Sequence, residues 1–146
     1  MKLHLTHHVA APRELVFDAL VDPAVIQRCL PGCESMVASG PDSYDAVMTI
    51  GIAGLKGRYT GRTTITNKQR ADALTLGVEG KGGPGFVRGA ATFALTSEAG
   101  HTRVACDADV QVGGLIAAVG SRLIEAAARK LAGDFFDALE RQLATT

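Results

Sequence analysis

The sequence predicts an α+β fold: a curved antiparallel sheet of about seven strands wrapped around one long C-terminal helix. Two observations carry that prediction. From Cys33 onward hydrophobicity alternates with period two through several stretches joined by short turns, and short connections between neighbouring strands require antiparallel pairing. The last of these stretches stops at Gly113-Gly114 and gives way to a proline-free amphipathic segment, Leu115 to Leu143. As a helix it would be ~43 Å long at the usual rise. That exceeds what a small domain needs to close a solid core, so the pattern also predicts something held between helix and sheet.

The elements follow in order. Leu3, Leu5, His7 and Val9 share one face of a first strand, with Lys2, His4, Thr6 and His8 on the other. Ala11-Pro12-Arg13-Glu14 opens a short helix whose apolar stripe is Val16, Phe17 and Leu20, proline being well placed in a first turn. Asp22-Pro23 caps a second short helix carrying Val25 and Ile26, which stops before Pro31-Gly32. The strands are expected at Glu34–Ala38, Tyr44–Ile52, Leu55–Thr66, Ala73–Gly80, Phe86–Thr96 and Thr102–Val112. Turns fall at Pro41-Asp42, Ala53-Gly54, Asn67–Asp72, Gly82–Gly85 and Ala99-Gly100. The last helix has an apolar stripe at Ile116, Val119, Leu123, Ala127, Leu131, Phe135 and Leu139. Its first half is dense in Ala and Gly, which allows either a close approach to the sheet or a gap.

At 146 residues the chain reads as one domain, 1–146. Hydrophobic residues make up 47% of it, which excludes a disordered chain. Lys+Arg and Asp+Glu balance at 15 each, whereas nucleic-acid binding calls for a basic excess. The alternating N-terminus is too polar for a signal peptide, and no segment reaches the roughly 20 apolar residues of a membrane span. Three unpatterned cysteines suit a reducing compartment. The expectation is a cytoplasmic protein.

With the elements in this order, the words at their joints resemble a known family. They are Ala11-Pro12-Arg13-Glu14, Leu30-Pro31-Gly32-Cys33-Glu34, Gly80-Lys81-Gly82-Gly83-Pro84, Gln111-Val112-Gly113-Gly114, Gly120-Ser121-Arg122-Leu123-Ile124, and Ala127-Ala128-Arg129-Lys130-Leu131 followed by Phe135-Phe136. The overall arrangement is similar to the helix-grip fold of the START and Bet v 1-like superfamily. Within it the chain resembles the carbon monoxide dehydrogenase CoxG family. The resemblance implies a hydrophobic cavity gripped between sheet and helix, a quinone or lipid-like ligand, and no other cofactor. It also implies a molybdenum hydroxylase of the carbon monoxide dehydrogenase type as partner, recruited to the inner face of the membrane. Some members carry a C-terminal tail proposed to contact the membrane; here Thr146 follows the predicted helix by three residues.

Gly80-Lys81-Gly82-Gly83-Pro84-Gly85 satisfies G-x-G-x-x-G, but a dinucleotide fingerprint must lead into a helix and this loop continues as strand. Its glycines read as a turn or bulge. His4 and His8 lie ~13 Å apart on one strand and His7 faces the other way, so no convergent metal set forms. Cys29 and Cys33 lack a second pair, and Cys106 reads as a small apolar residue. Lys56, Arg58 and Arg62 share an outward strand face, open to solvent, an acidic partner or anionic lipid. Asp107 and Asp109 also face outward, where an acid–base pair would be wasted.

The cavity is therefore expected to be lined by Met48, Ile50, Tyr59, Leu76, Val78, Phe93, Val110, Leu123, Ala127 and Phe135. Tyr59 would supply one directional hydrogen bond to a quinone carbonyl in mostly apolar surroundings. Gly82, Gly83 and Pro84 would form its rim, with Gly113 and Gly114 as the hinge of a lid. Without a catalytic set, the leading function is non-enzymatic binding of a hydrophobic small molecule. Two alternatives stand beside it. One is an enzyme of the polyketide cyclase or dehydratase type drawing on His7, Tyr44, Tyr59 and Cys106; the other is an assembly factor acting through its surface.

Overall fold

The computed structural model describes every residue except Ala53, Thr145 and Thr146. The order is β1 (Lys2–Val9), α1 (Arg13–Leu20), α2 (Pro23–Cys29), β2 (Cys33–Gly40), β3 (Ser43–Ile52), β4 (Leu55–Gln69), β5 (Ala73–Gly82), β6 (Gly85–Glu98), β7 (His101–Gly113), α3 (Leu115–Ala118) and α4 (Ser121–Ala144). The strands form one antiparallel sheet in the order β1-β7-β6-β5-β4-β3-β2. Strands β2 to β7 are a continuous meander, and α1 and α2 carry the chain from one edge to the other. Every predicted strand is present, extended by a few residues at one or both ends. The predicted turn at Ala53-Gly54 includes Ala53, which lies outside the described residues. Two register shifts, between Cys33 and Ser35 and between Ala38 and Gly40, interrupt the pairing of β2 with β3.

The registers decide which side chains share the concave face. Tyr59 pairs with Met48 and Gly82, Ile65 with Leu76, Leu74 with Phe93, and Leu95 with Val104. At the end where β1 finishes, this face is fully packed: Val9, Leu74 and Val104 have no solvent exposure. The covering layer there is α1, with Val16 and Phe17, and the second half of α4, with Phe135, Phe136 and Leu139. Burying side chains of this size stabilises by about 1.5–3 kcal/mol each. Thr102 is the one polar residue among the described residues that is fully buried, and its hydroxyl donates to the Ala11 carbonyl at 2.7 Å. His7 stacks on Phe136 with ring centroids 4.6 Å apart, tying β1 to α4.

The helix starts follow local chemistry. The Asp22 carboxylate accepts from the Ala24 amide at 3.0 Å, and Pro23 fills the first turn. Pro12 leads into α1 from an extended conformation with no side-chain cap. The single helix predicted from Leu115 to Leu143 is instead two, broken at Val119-Gly120, where Gly120 takes φ +93°. A left-handed residue ends a right-handed helix, so α3 is one turn and α4 starts afresh. The buried residues of α4, Phe135, Phe136 and Leu139, all lie in its second half.

Gly61 is required by close approach. On β4 it faces the concave side opposite Gly80, and a Cβ there would overlap the Glu79 carbonyl oxygen. Gly61→Ala is therefore expected to cost roughly 1–3 kcal/mol in urea unfolding. Gly133→Ala is the matched control: a Cβ at this helical position meets nothing within 4 Å, and the change should add about 0.5–1 kcal/mol.

Burial holds the His7 imidazole below its ordinary pKa, against an opposing pull from Asp137 and with a smaller push from His8. The unfolded chain therefore binds a proton that the folded chain resists. Stability should be fully present above about pH 6.5 and fall as the pH drops below that value. His7→Phe should flatten this part of the pH–stability curve, measured by denaturant midpoints across the range.

Candidate functional site

Where the packed end of the concave face stops, the structure opens into an apolar cavity of ≈ 220 Å³. Its floor is the sheet, with Tyr44, Ala46 and Met48 from β3, Tyr59, Thr63 and Ile65 from β4, and Leu76 and Val78 from β5. Its roof is the helical crossover, with Leu20 and Val21 at the end of α1, Pro23 and Ile26 from α2, and Leu30 beyond it. Met36 of β2 closes one side. Arg62 and Glu79 border the cavity through their backbone, because strand alternation turns their side chains to the convex face. There Arg62 pairs with Asp45 at 3.0 Å. Val78, 38% exposed, marks where the space meets solvent.

The cavity exists because side-chain volume runs out. Next to Tyr59, the inward positions on β4 are Gly57 and Gly61, and those on β5 beyond Val78 are Gly80 and Gly82. Tyr59 stands among these glycines, 8% exposed. Its hydroxyl is buried without a hydrogen-bond partner, and burial pushes its pKa above the ordinary phenol value. A neutral, unpartnered O–H donor beside an apolar space is suited to binding an acceptor. It is poorly suited to proton transfer near neutrality, which needs a pKa close to the working pH.

Of the residues expected at the site, the structure brings Met48, Tyr59, Leu76 and Val78 together around this cavity. Ile50 lies one step further along β3, next to Gly32. Phe93 and Phe135 belong to the packed core instead: Phe93 pairs with Cys106 on β6–β7, and Phe135 is 8% exposed within the aromatic contact to Phe136. Val110, Leu123 and Ala127 do not line the cavity, and Leu123 is half exposed. The physical reason is the docking of α4, whose main contacts are with β1 and α2. No residue of α4 lines the cavity, and the two short helices take that place.

Gly82, Gly83 and Pro84 lie at the β5–β6 turn, and Gly113 and Gly114 at the β7–α3 junction. The two regions are joined, since the Ile116 amide donates to the Pro84 carbonyl at 2.9 Å. Gly114 takes φ +80°, and a Cβ there would come within 2.7 Å of the Gly85 Cα. The G-x-G-x-x-G segment is thus strand, turn and strand.

The remaining constellations resolve as follows. Among the described residues no three His, Cys, Asp or Glu side chains are grouped to hold a metal ion, and no helix is long and apolar enough to cross a membrane. Cys29 and Cys106 are buried. Burial raises the pKa of all three thiols, Cys106 to about 11. His4 pairs with Asp107 at 2.6 Å, and Arg58 with Glu34 at 3.1 Å. The cavity roof (Leu20, Ile26, Leu30) and the bare inward glycines were missed by sequence reasoning. Their signal was glycine recurring at even spacing inside strands, at 57 and 61 and at 80 and 82.

A family model for CoxG, a carbon monoxide dehydrogenase component, matches residues 6–144. Among solved structures, a conserved protein from Geobacillus kaustophilus is similar at 32% identity and TM-score 0.95, covering 99% of this chain and 96% of that one. A START superfamily protein from Mycobacterium smegmatis is similar at 16% identity and TM-score 0.74, with 99% and 97% covered. The Zhui aromatase/cyclase from Streptomyces sp. R1128 is similar at 15% identity and TM-score 0.71, with 99% and 93% covered. At these last two identities the likeness concerns the fold. A comparison with curated proteins gives no match.

Tyr59→Phe tests the site directly. In the ligand-free protein it removes an unpaired buried hydroxyl, whose desolvation costs about 1–3 kcal/mol. The variant should therefore be at least as stable as the parent in chemical denaturation, whereas a hydroxyl with a hidden partner would make it less stable.

Proposed function

The chain belongs to the carbon monoxide dehydrogenase CoxG family and has the START/Bet v 1-like helix-grip fold, and from that premise we propose that it binds a hydrophobic small molecule bearing a hydrogen-bond acceptor. A quinone or a lipid-like carbonyl compound has the matching chemistry. The observation that carries this reading is the Tyr59 hydroxyl, buried and unpartnered beside a cavity whose walls are mostly apolar, with Tyr44 and Thr63 as the other hydroxyl-bearing residues of its floor. An apolar site with one directed polar group is the usual design of a small-molecule pocket. The hydroxyl donates to the ligand oxygen, and the surrounding side chains take up its apolar surface.

Size refines the proposal. The cavity is ≈ 220 Å³, below the ~300–1,000 Å³ common for pockets that enclose a whole drug-sized ligand. It suits a ring-sized head group, with any longer tail leaving past Val78. Family membership suggests the wider role, an accessory factor for a carbon monoxide dehydrogenase-type molybdenum hydroxylase. Binding rather than turnover is favoured by Tyr59, because a phenol pushed upward by burial holds its proton.

Organic extraction of natively purified protein, followed by mass spectrometry, should release a hydrophobic carbonyl compound, and titration with quinones should saturate. Ala46→Phe projects into the cavity and should abolish uptake while preserving the fold. Ala127→Trp on α4, outside the cavity lining, should leave uptake within about twofold. In the bound state Tyr59→Phe should weaken affinity by about 0.5–1.5 kcal/mol, the net worth of one hydrogen bond. Retained uptake in Ala46→Phe would refute the placement of the ligand. Failure to co-purify with a molybdenum hydroxylase would refute the partner alone.

A further inference from the structure

Two strand glycines of this protein lie under an aromatic ring from the neighbouring strand. Tyr59 on β4 pairs with Gly82 on β5, and Phe86 on β6 with Gly113 on β7. A Cβ at Gly82 would meet the Tyr59 ring at 3.3 Å, and one at Gly113 would overlap the Phe86 ring. In both pairs a flat ring covers bare backbone, the same use of an aromatic over glycine that pins strand register in sheets.

The cross-strand pair Gly61–Gly80 has no such cover. Its Gly61 half is demanded by the fold, because a Cβ there would overlap the Glu79 carbonyl oxygen. The Gly80 half is not. Apart from its chain neighbours, a Cβ at Gly80 would meet one atom within 4 Å, the Thr60 carbonyl oxygen at 3.9 Å. Its φ also lies outside the left-handed region. A glycine inside a strand costs conformational entropy and has no side chain to pack, so neither a turn nor a close approach accounts for this one. Its place does. Gly61 and Gly80 both line the cavity, next to the Tyr59–Gly82 pair. The Tyr59 side of that pair is 8% exposed and keeps its hydroxyl buried without a partner.

We propose that Gly80 is a specificity-determining residue of the cavity: it leaves room for a flat, unsaturated ring to lie on the Gly61–Gly80 backbone as Tyr59 lies on Gly82. This role rests on the hydrophobic binding proposed for the cavity and narrows its class, from carbonyl compounds in general to those whose carbonyl belongs to a planar ring system. A saturated ring is puckered and thicker, and an acyclic chain gains little from a flat floor. A methyl group at position 80 would fill the layer that the ring needs. Lifting a surface by ~1 Å already forfeits up to about half of its dispersion contact.

Three ketones of equal carbon count test this by titration against the full chain: flat indanone, its saturated counterpart hydrindanone, and acyclic methyl heptyl ketone. Apolar surface rises along that series, so burial of apolar area alone would favour methyl heptyl ketone. The expected order is the reverse, with indanone tightest. Gly80→Ala should weaken indanone by about tenfold or more, the effect of overpacking a fitted contact. It should leave methyl heptyl ketone within about twofold, with a thermal midpoint no lower than the parent's. Gly77→Ala is the control on the same strand and opposite face, where a Cβ would meet only the Thr64 carbonyl oxygen at 3.7 Å, and should change neither affinity. Tightest binding of methyl heptyl ketone by the parent would overturn the role of Gly80 and leave hydrophobic binding standing. So would indanone affinity that survives Gly80→Ala unchanged. Failure of all three ketones to bind the parent would overturn both.

Discussion

Phe135, Phe136 and Leu139 of α4 pack with Val9, Leu74, Leu95 and Val104 into one core at one end of the concave sheet, and the position of that contact governs the rest of the molecule. Hydrophobic burial is roughly proportional to the apolar area removed from water, so a helix settles where the sheet offers the most side-chain volume. Along β4 to β6 that volume declines from Ile65, Leu74 and Leu95 to Gly57, Gly82 and Gly85. Docking at the rich end leaves the first half of α4 without a buried residue. The lean end is left hollow beneath α2 or open to solvent.

This division separates a packed end from a hollow one. The packed end holds the fold together, so the cavity can keep a polar atom unpaired at a modest cost in free energy. A buried hydroxyl without a partner is unfavourable by a few kcal/mol at most. In the binding mode proposed above, a ligand acceptor reaching Tyr59 would relieve that cost. Family membership makes this arrangement intelligible, but the physical reason for it is local to the glycines beside Tyr59.

Much of the fold was legible because strands and caps are written in short-range chemistry. Period-two alternation located every strand, and Asp22-Pro23 announced α2. Tyr59 could be picked out as the inward aromatic on β4 with a polar end. The docking of α4 was not legible. Its apolar stripe runs from Leu123 to Leu139 with one period, and nothing local separates half-exposed Leu123 from fully buried Leu139. That difference is made by partners distant in sequence. The break at Gly120 was hidden for a related reason, since a lone glycine inside a helix costs only about 1 kcal/mol and its φ is set by the path of the chain. The helical roof over the cavity was equally out of reach, because Ile26 and Leu30 read only as the apolar face of a short helix.

The interrupted pairing of β2 bears on a different matter, the behaviour of the molecule at high concentration. β2 is an edge strand, and Val37 on it is 62% exposed. A flat edge of this kind offers a row of unpaired amides and carbonyls to any other copy. The shifts between Cys33 and Ser35 and between Ala38 and Gly40 bend that row at both ends. Fewer consecutive groups stay in register for a second sheet to continue, so the same irregularities that loosen the edge also guard the chain against polymerising through it.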